Sequence, residues 1–200
     1  MNRANALPRS PELMSRSDTG LLIVDVQTKL INLIPGHKKL VWNISRLISA
    51  AQVLGMPVAA TEQYPQGLGT TVPELAAQLT TAQQGEIPSK LDFSCGECGD
   101  VFRQFQEQGV DKLLLVGIEA HVCVGQTAMD LLAAGFRIYL AVDAVGSRHL
   151  LDAEVALRRL DAAGAVLTTT EAALFEWCQR AGSPEFKHIS QLVRQLPPVE

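Results

Sequence analysis

Cys123 stands where an apolar run, residues 112–119, gives way to a helical pattern of apolar residues. If a helix begins at or near this cysteine, its sulfur lies against free backbone N–H groups and the positive end of the helix dipole, which both stabilise a thiolate. The same N–H groups would hold the oxyanion that forms when a thiolate attacks a carbonyl. Cysteine is also one of the residue types most often buried and inert. Position alone therefore leaves both interpretations open.

Asp25, Lys90 and His121 are the other candidates for chemistry. Asp25 lies near the end of the apolar run 20–26, where a carboxylate is costly to desolvate unless it serves chemistry or caps the next helix. Lys90 lies in "IPSKLDFS", and nothing local separates it from a solvated surface lysine. His121 precedes Cys123 by two residues, and either acts as the base of a Cys–His pair or lines the pocket. We favour the lining role.

Cys95 and Cys98 have the C-x-x-C spacing of redox and zinc sites. A second pair at metal-ligand spacing is missing, and the motif does not follow a strand as a thioredoxin-like motif would. We therefore interpret them as oxidisable loop cysteines and predict no metal site.

The elements that carry these residues alternate between short apolar runs and longer amphipathic stretches. The runs, which we predict to be strands, are residues 20–26, 56–62, 112–119, 137–144 and 165–171. Continuous apolar strands are typical of a parallel sheet covered on both faces. The order predicts one open, mostly parallel α/β sheet flanked by helices on both faces, a Rossmann-like fold. Ligands bind such sheets at the carboxyl ends of the strands, which is where Asp25, Glu62 and Cys123 fall.

Composition limits the class of protein. The 200 residues are 47% hydrophobic with a formal net charge of −4, so we expect one globular domain over residues 18–200 and no electrostatic binding of nucleic acid or anionic membrane. Residues 1–17 predict a flexible arm without the apolar core of a signal peptide. No run approaches the ~20 apolar residues of a membrane span. Four cysteines without a secretion signal fit a reducing cytoplasm, which is the expected location.

Together these residues resemble the isochorismatase-like cysteine hydrolase superfamily, which includes nicotinamidases. The resemblance lies in "LLIVDVQ" with Asp25, in Lys90 before the third long strand, and in "GIEAHVCVGQTAMDLLAAGFRIYLAVDAVGSR" with Cys123. "TEQYPQGLGTTVPEL" and "SPEFKHISQLV" are similar to the branch described as isochorismatase domain-containing proteins or hydrolases without a settled substrate. The resemblance covers residues 18–196 and implies the isochorismatase-like hydrolase fold.

By that resemblance Asp25, Lys90 and Cys123 form a catalytic triad. Asp25 would accept the thiol proton and later deliver it to the leaving amine. Lys90 would hold the carboxylate and lower the pKa of the cysteine. Cys123 would attack a carbonyl to give a thioester that water then hydrolyses. The resemblance also implies a cis peptide bond between Ile118 and Glu119, which would turn a backbone N–H toward that of Cys123 and complete an oxyanion hole.

The chain departs from two branches of the superfamily. Nicotinamidases carry a metal-binding Asp-x-His motif after the second strand, where this chain has "TEQYP". We therefore predict no zinc, no iron and no other cofactor, and we argue against nicotinamide as substrate. Isochorismatases proper lack the nucleophilic cysteine, so its presence favours amide chemistry. The residues expected to contact the substrate are Gln27, Glu62, Gln63, Tyr64, Phe93 and His121.

The leading hypothesis is a hydrolase of a small-molecule amide or other C–N bond. One alternative is a non-catalytic small-molecule-binding or interaction protein on a hydrolase scaffold. Another is a thiol redox sensor, in which Cys95 or Cys98 resolves an oxidised Cys123. Because relatives assemble, we also expect a homo-oligomer, a dimer or larger, in which "EFKHISQLV" covers a neighbouring subunit.

Overall fold

The computed structural model describes residues 7–83 and 85–199. Within them the strands are β1 Thr19–Val24, β2 Val58–Gln63, β3 Ser89–Lys90, β4 Lys112–Ile118, β5 Arg137–Gly146 and β6 Val166–Thr168. The helices are α1 Thr28–Ile31, α2 His37–Leu54, α3 Pro65–Leu68, α4 Pro73–Ala82, α5 Gly99–Glu107, α6 Cys123–Ala133, α7 Leu150–Ala162, α8 Thr170–Cys178 and α9 Phe186–Val193. Among the helices of these described residues, none is long and apolar enough to cross a membrane.

The described strands form one parallel sheet in the order β3-β2-β1-β4-β5-β6. The predicted fold class is confirmed. β1 lies at the centre between β2 and β4, so the residues that follow it meet those that follow both neighbours. The order reverses between β1 and β4, and such a switch point is where open α/β sheets bind ligands.

Helices cover both faces of the sheet, which explains why the strands are apolar throughout. On β4, Leu114 and Val116 join the core beneath α2, α4, α8 and α9, whereas Leu113 and Leu115 join the core beneath α5, α6 and α7. Successive side chains of a strand point to opposite faces, so a strand buried on both sides has no polar alternation.

Part of the segment before β1, residues 9–15, contacts the domain, although its composition predicts a flexible arm. Met14 is fully buried in the core, and its backbone N–H donates to Glu176 Oε2 at 2.8 Å. Tyr139 Oη donates to the carbonyl of Glu12 at 2.5 Å. The burial of Met14 and these hydrogen bonds hold the segment in place, although the residues around them favour turns. Residues 1–6 of the predicted arm lie outside the described residues.

The C-terminal segment packs one face on its own chain, and the expectation that it also covers a neighbouring subunit stays a prediction. α9 buries Ile189 and Leu192 in the same core as α2 and α8. His188 Nε2 lies 3.0 Å from Ser49 Oγ on α2.

The long segment between β2 and α5 is more ordered than a loop. It contains the helix α4, and also β3, whose two residues pair with the end of β2. β3 escaped the sequence analysis because two residues carry no periodicity. β3 is important for the site, because it brings Lys90 to the same sheet edge as Asp25.

Candidate active site

The candidate site lies at the carboxyl edge of the central strands. Asp25 directly follows β1, Lys90 ends β3, and Cys123 begins α6 after β4. The approach of β1 and β4 there depends on Gly117, which pairs with Val24. A Cβ on Gly117 would lie 2.1 Å from the carbonyl oxygen of Val24, and the residue has a φ of 119°. Only glycine tolerates both this close approach and the positive φ.

Asp25 and Lys90 form a buried ion pair. Lys90 Nζ lies 2.7 Å from Asp25 Oδ2, and both side chains are fully buried. Nζ also donates to Gln63 Oε1 at 2.8 Å and to the carbonyl of Phe93 at 2.9 Å. Burial lowers the pKa of Lys90, but the charge of Asp25 and its hydrogen bond raise it more, so the net pKa lies above its ordinary value. The ammonium group is therefore charged and fixed in place.

The other oxygen of Asp25 is held by a residue that the sequence analysis did not single out. Thr61 Oγ1, at the end of β2, donates to Asp25 Oδ1 at 2.8 Å. Cys95 Sγ lies 3.4 Å from the same hydroxyl. Cys95 is fully buried rather than a surface loop cysteine, and burial followed by the charge of Asp25 raises its pKa to about 11. A polar residue ending the strand next to β1 was the available signal for Thr61, whereas Cys95 gave none.

Cys123 is close enough to this pair for its titration to be coupled to it. The residue is 7% exposed. Burial raises its pKa most, the charge of Asp25 raises it further, and Lys90 acts in the opposite direction. Lys90 thus acts in the expected direction, but burial and Asp25 outweigh it, and the net pKa lies above the ordinary value. At neutral pH the thiol keeps its proton, and attack requires a base.

The loop before Cys123 brings the start of α6 close to the end of β4. The Ile118–Glu119 peptide bond is cis. The N–H groups of Val122 and Val124 both donate to the carbonyl of Glu119, at 3.0 and 3.2 Å. Cys123 is the first residue of α6, where the backbone N–H has no acceptor within its own helix. The oxyanion hole expected from the Ile118–Glu119 bond and the N–H of Cys123 stays a prediction.

Glycine is required again in the first turn of α6. A Cβ on Gly125 would lie 2.7 Å from the carbonyl oxygen of Ala120, a backbone atom that cannot swing aside. Gly125 therefore sets how closely the helix that carries Cys123 approaches the loop after β4.

The side chain of Glu119 ties this loop to the loop after β5. Its Oε2 accepts from the backbone N–H of Arg148 at 2.9 Å, and both carboxylate oxygens lie 3.1 Å from Arg148 Nε. Burial raises the pKa of Glu119, but these hydrogen bonds and the guanidinium charge lower it more. Glu119 thus links the loop after β4 to the loop after β5, beside the site.

Three of the residues predicted to contact substrate make hydrogen bonds inside the protein. For Gln27 and Gln63, whose amide oxygens and nitrogens are both engaged, this corrects the expectation, whereas substrate contact by Glu62, whose bonds involve Oε1, stays a prediction. Gln27 Nε2 donates to the carbonyls of Gln63 and Gly69, and its Oε1 accepts from the N–H of Gln63. Glu62 Oε1 accepts from the N–H and the hydroxyl of Thr71. Gln63 accepts from Lys90 and donates to the carbonyl of Leu91. These side chains position the site and its loops.

The remaining predicted contacts divide into two groups. Tyr64 and Phe93 are about half exposed, and their backbones flank Lys90, so substrate contact by them stays a prediction. The expectation that His121 contacts substrate beside Cys123 is corrected by its surroundings. Its Nδ1 lies 3.0 Å from Ser147 Oγ, and its Nε2 lies 3.8 Å from Asp152. It lines a separate cavity between α6 and α7 that does not include Asp25, Lys90 or Cys123.

No group of three or more histidine, cysteine, aspartate or glutamate side chains in residues 7–83 and 85–199 is arranged to hold a metal ion. The carboxylate of Asp25 is neutralised by Lys90 and accepts a hydrogen bond from Thr61.

Comparison with known proteins gives consistent matches. The isochorismatase domain family model matches residues 19–172. The chain is 38% identical over 179 residues to isochorismatase domain-containing protein 2 of Bos taurus, covering 89% of this chain and 84% of that protein. It is 37% identical over 153 residues to isochorismatase domain-containing protein 1 of Danio rerio, covering 76% of this chain and 53% of that longer relative. The chain thus spans about half the length of the second relative.

Among solved structures, the fold is similar to that of MAR1 ribonuclease from Caenorhabditis elegans. The TM-score is 0.85 at 36% sequence identity, and the match covers 94% of this chain and 95% of that one.

Proposed function

The chain belongs to the isochorismatase domain family, and from this premise we propose that it is a cysteine hydrolase of a small amide or other C–N bond. The observation that carries the proposal is the buried Asp25–Lys90 ion pair, whose carboxylate raises the pKa of the Cys123 thiol. A protonated nucleophile beside a fixed carboxylate is the arrangement that general-base catalysis needs.

The reaction follows from these positions. Asp25 takes the proton of Cys123 as the sulfur attacks the carbonyl carbon, and the carbonyl oxygen becomes an oxyanion held by backbone N–H groups such as that of Cys123. The C–N bond then breaks, and protonated Asp25 gives its proton to the leaving nitrogen. Asp25 next takes a proton from water, whose oxygen attacks the thioester and releases a carboxylic acid. The thiolate regains the proton from Asp25, and Lys90 holds the carboxylate throughout.

We further propose that the substrate carries no anionic group. The amide groups of Gln27 and Gln63 are engaged by protein partners and Lys90 is neutralised by Asp25, so none of them is available to pair with an anionic substituent. The side chains exposed around Lys90 are apolar, aromatic or acidic: Tyr64, Leu91 and Phe93 are 49%, 70% and 54% exposed, and Asp92 is exposed between them. An anionic substituent would lose its hydration there without a compensating partner.

The proposal is tested with a panel of small amides, ureides and carbamates, each offered to the wild type and to Cys123→Ala. We expect turnover of uncharged members by the wild type, none by Cys123→Ala, and a hydroxamate when hydroxylamine intercepts the thioester. Equal turnover by Cys123→Ala would sink the nucleophile assignment. Binding of panel members without turnover or acylation would favour the non-catalytic binding protein.

Ribonuclease activity is a second candidate, because a relative 36% identical in sequence is named as a ribonuclease. The charge of this chain argues against it, since binding a polyanion needs free cations and the net charge is −4. Lys90 is neutralised by Asp25, and Arg148 is paired with Glu119. Incubating the wild type and Cys123→Ala with single-stranded RNA decides the matter, and cleavage that the substitution abolishes would replace the amidase assignment.

A further inference from the structure

Arg46 on α2 is a buried cation without a counter-charge. The residue is 5% exposed, yet no carboxylate of residues 7–83 and 85–199 forms an ion pair with it. Burial lowers the pKa of Arg46 more than the distant charges of Glu171 and Asp143 raise it. Arginine is almost never buried to this extent unless it is paired, because an unpaired charge is costly to desolvate.

The guanidinium of Arg46 is partly engaged by the protein. Its Nε donates to the carbonyl of Leu192 at 3.1 Å, and its Nη1 donates to Asn43 Oδ1 at 3.0 Å. Its Cζ lies 4.3 Å from the centre of the Trp42 ring. Within the described chain Nη2 has no hydrogen-bond partner, and it is not one of the polar atoms shut off from solvent. Nη2 is therefore a fixed donor that a ligand can reach.

A cavity of about 210 Å³ lies at this position, between α2, α4 and the end of α9. Apart from Arg46 and Leu192, it is lined by hydroxyl and amide side chains: Ser45, Ser49, Gln52, Gln78 and Gln195. No acidic residue of the described ranges lines it, whereas Asp130 and Asp152 line the cavity between α6 and α7. A recess with one cation, neutral donors and no carboxylate suits a small anion.

We propose that this cavity, the Arg46 site, binds a small tetrahedral oxyanion of the phosphate class, either free phosphate or a phosphomonoester. Arg46 Nη2 donates the charge-assisted hydrogen bond. Ser45 Oγ accepts from Gln78 Nε2 at 2.5 Å, so its own proton is available to the anion. With about 210 Å³, the cavity has room for one such group and a few waters.

The tetrahedral shape follows from where the donors lie. Ser45 and Arg46 come from α2, whereas the amide of Gln195 comes from the segment after α9. Donors on different sides of the cavity meet the oxygens of a tetrahedral group better than the two coplanar oxygens of a carboxylate.

The Arg46 site is separate from the candidate active site. Its lining does not include Asp25, Lys90 or Cys123, and α2, α4 and α9 pack on the opposite face of the sheet from α6. Since Arg46 also holds the carbonyl of Leu192, a bound anion would strengthen the link between α2 and α9. A ligand that binds only the folded chain stabilises it by mass action.

Isothermal titration calorimetry of the full chain with sodium phosphate at pH 7 tests the proposal, with sodium chloride holding the ionic strength constant. We expect a dissociation constant of about 1 mM or lower, and a melting temperature that rises with phosphate but not with chloride. Acetate should bind at least about 10-fold more weakly, since it presents fewer acceptors to the donors. No binding of phosphate, or equal binding of acetate, overturns the proposal.

Glycerol phosphate as a second probe distinguishes the two sources of the group. Tighter binding than that of inorganic phosphate identifies a phosphomonoester as the ligand, and weaker binding identifies free phosphate.

Ser49→Asp locates the anion. Ser49 lies three residues after Arg46 on α2, so the two side chains are neighbours on the helix surface, and the new carboxylate supplies the missing charge. Phosphate should then bind at least about 10-fold more weakly, because the cation is neutralised and the cavity is acidic. Urea unfolding verifies that the variant is folded.

Thr80→Asp is the matched control, because it adds the same charge at an exposed position of α4 outside the cavity. It should change the phosphate affinity by less than about threefold, since solvent and salt screen an exposed charge. Phosphate binding by Ser49→Asp at the level of Thr80→Asp would place the anion elsewhere and overturn the proposal.

Arg46→Lys gives an independent check that keeps the positive charge. An ammonium group lacks the planar fork that holds Leu192 and Asn43 while Nη2 faces the cavity. Phosphate affinity should fall at least about 10-fold, as for other charge-assisted hydrogen bonds of arginine. Affinity equal to that of the wild type would contradict the role of Arg46.

Discussion

At the scale of single residues, the proton on Cys123 is the central feature of the site. Burial and the charge of Asp25 raise the pKa of the thiol, and the opposing effect of Lys90 is smaller. Removing the carboxylate charge while keeping the shape should therefore lower that pKa, because Lys90 would act unopposed.

We predict that Asp25→Asn abolishes turnover yet makes Cys123 react faster with iodoacetamide at pH 7. The first effect follows from loss of the base, and the second from a larger thiolate fraction. Mass spectrometry of the alkylated chain over time, from pH 6 to pH 10, measures it, with Cys123→Ala identifying the signal. Slower alkylation of Asp25→Asn than of the wild type would contradict the assigned electrostatics.

Glu119 gives a prediction about stability. Although burial raises the pKa of Glu119, its bonds to Arg148 bring the net value below the ordinary 4.5. A lowered carboxyl pKa stabilises the folded state above the ordinary value, and that stabilisation is lost as pH falls through the folded pKa. Glu119→Gln should therefore lower the melting temperature at pH 7, and the difference from wild type should shrink below about pH 4. A difference that stays constant down to pH 3 would exclude the ion pair as its cause.

The sequence predicted the residues at the centre of the site and missed those that support them. Asp25 stood out because it follows an apolar strand, and Cys123 because it stands where an apolar run gives way to a helical pattern. Thr61 and Cys95 did not, because their role depends on which strand lies beside β1 and on how the loop before α5 folds back. Gln27 and Gln63 were misassigned to substrate for the same reason, since the sequence does not show whether a glutamine bonds to the protein or to a ligand.

At the scale of secondary-structure elements, the start of α6 is fixed by contact with the loop after β4. Gly125→Ala would place a methyl group 2.7 Å from the carbonyl oxygen of Ala120, so the helix must move away. We predict a loss of stability of about 1–3 kcal/mol, as for other overpacked sites, together with a larger loss of turnover because Cys123 moves with the helix. Urea unfolding and kcat/KM measure the two effects.

Gly99→Ala is the control for that substitution. Gly99 begins α5, and an added Cβ there would meet nothing within 4 Å. It should change neither quantity appreciably. If Gly125→Ala behaved like Gly99→Ala, the close approach would not be what sets the position of Cys123.

Long, strongly apolar elements were predictable, whereas short ones were not. The runs that became β1, β2, β4 and β5 were recognisable because a strand buried on both faces has a continuous apolar sequence. The shorter run at β6 was recognisable as well, although its residues are partly exposed. β3 is too short for any pattern, and its pairing with β2 is decided by the surrounding loop. Since β3 carries Lys90, the lysine was identified only through the resemblance to a family.

At the scale of the whole molecule, the segment before β1 completes the core rather than trailing from it. Its composition, rich in proline, serine and arginine, predicts a loose arm. Composition averages over residues, and here one apolar side chain decides the outcome: Met14 is fully buried in the core that α2 and α8 share.

We predict that Met14→Ala destabilises the protein by about 2–5 kcal/mol, the range for truncating a fully buried methionine. Leu13→Ala is the matched control: Leu13 is the adjacent residue and 39% exposed, so its truncation should cost much less. Urea unfolding at pH 7 compares the two, and turnover by the folded fraction of each should be unchanged, because the segment packs on α8 and β5, away from Cys123. Equal stability of the two variants would mean that the segment does not hold Met14 in the core in solution, and the chain would then have the loose arm that its composition predicts.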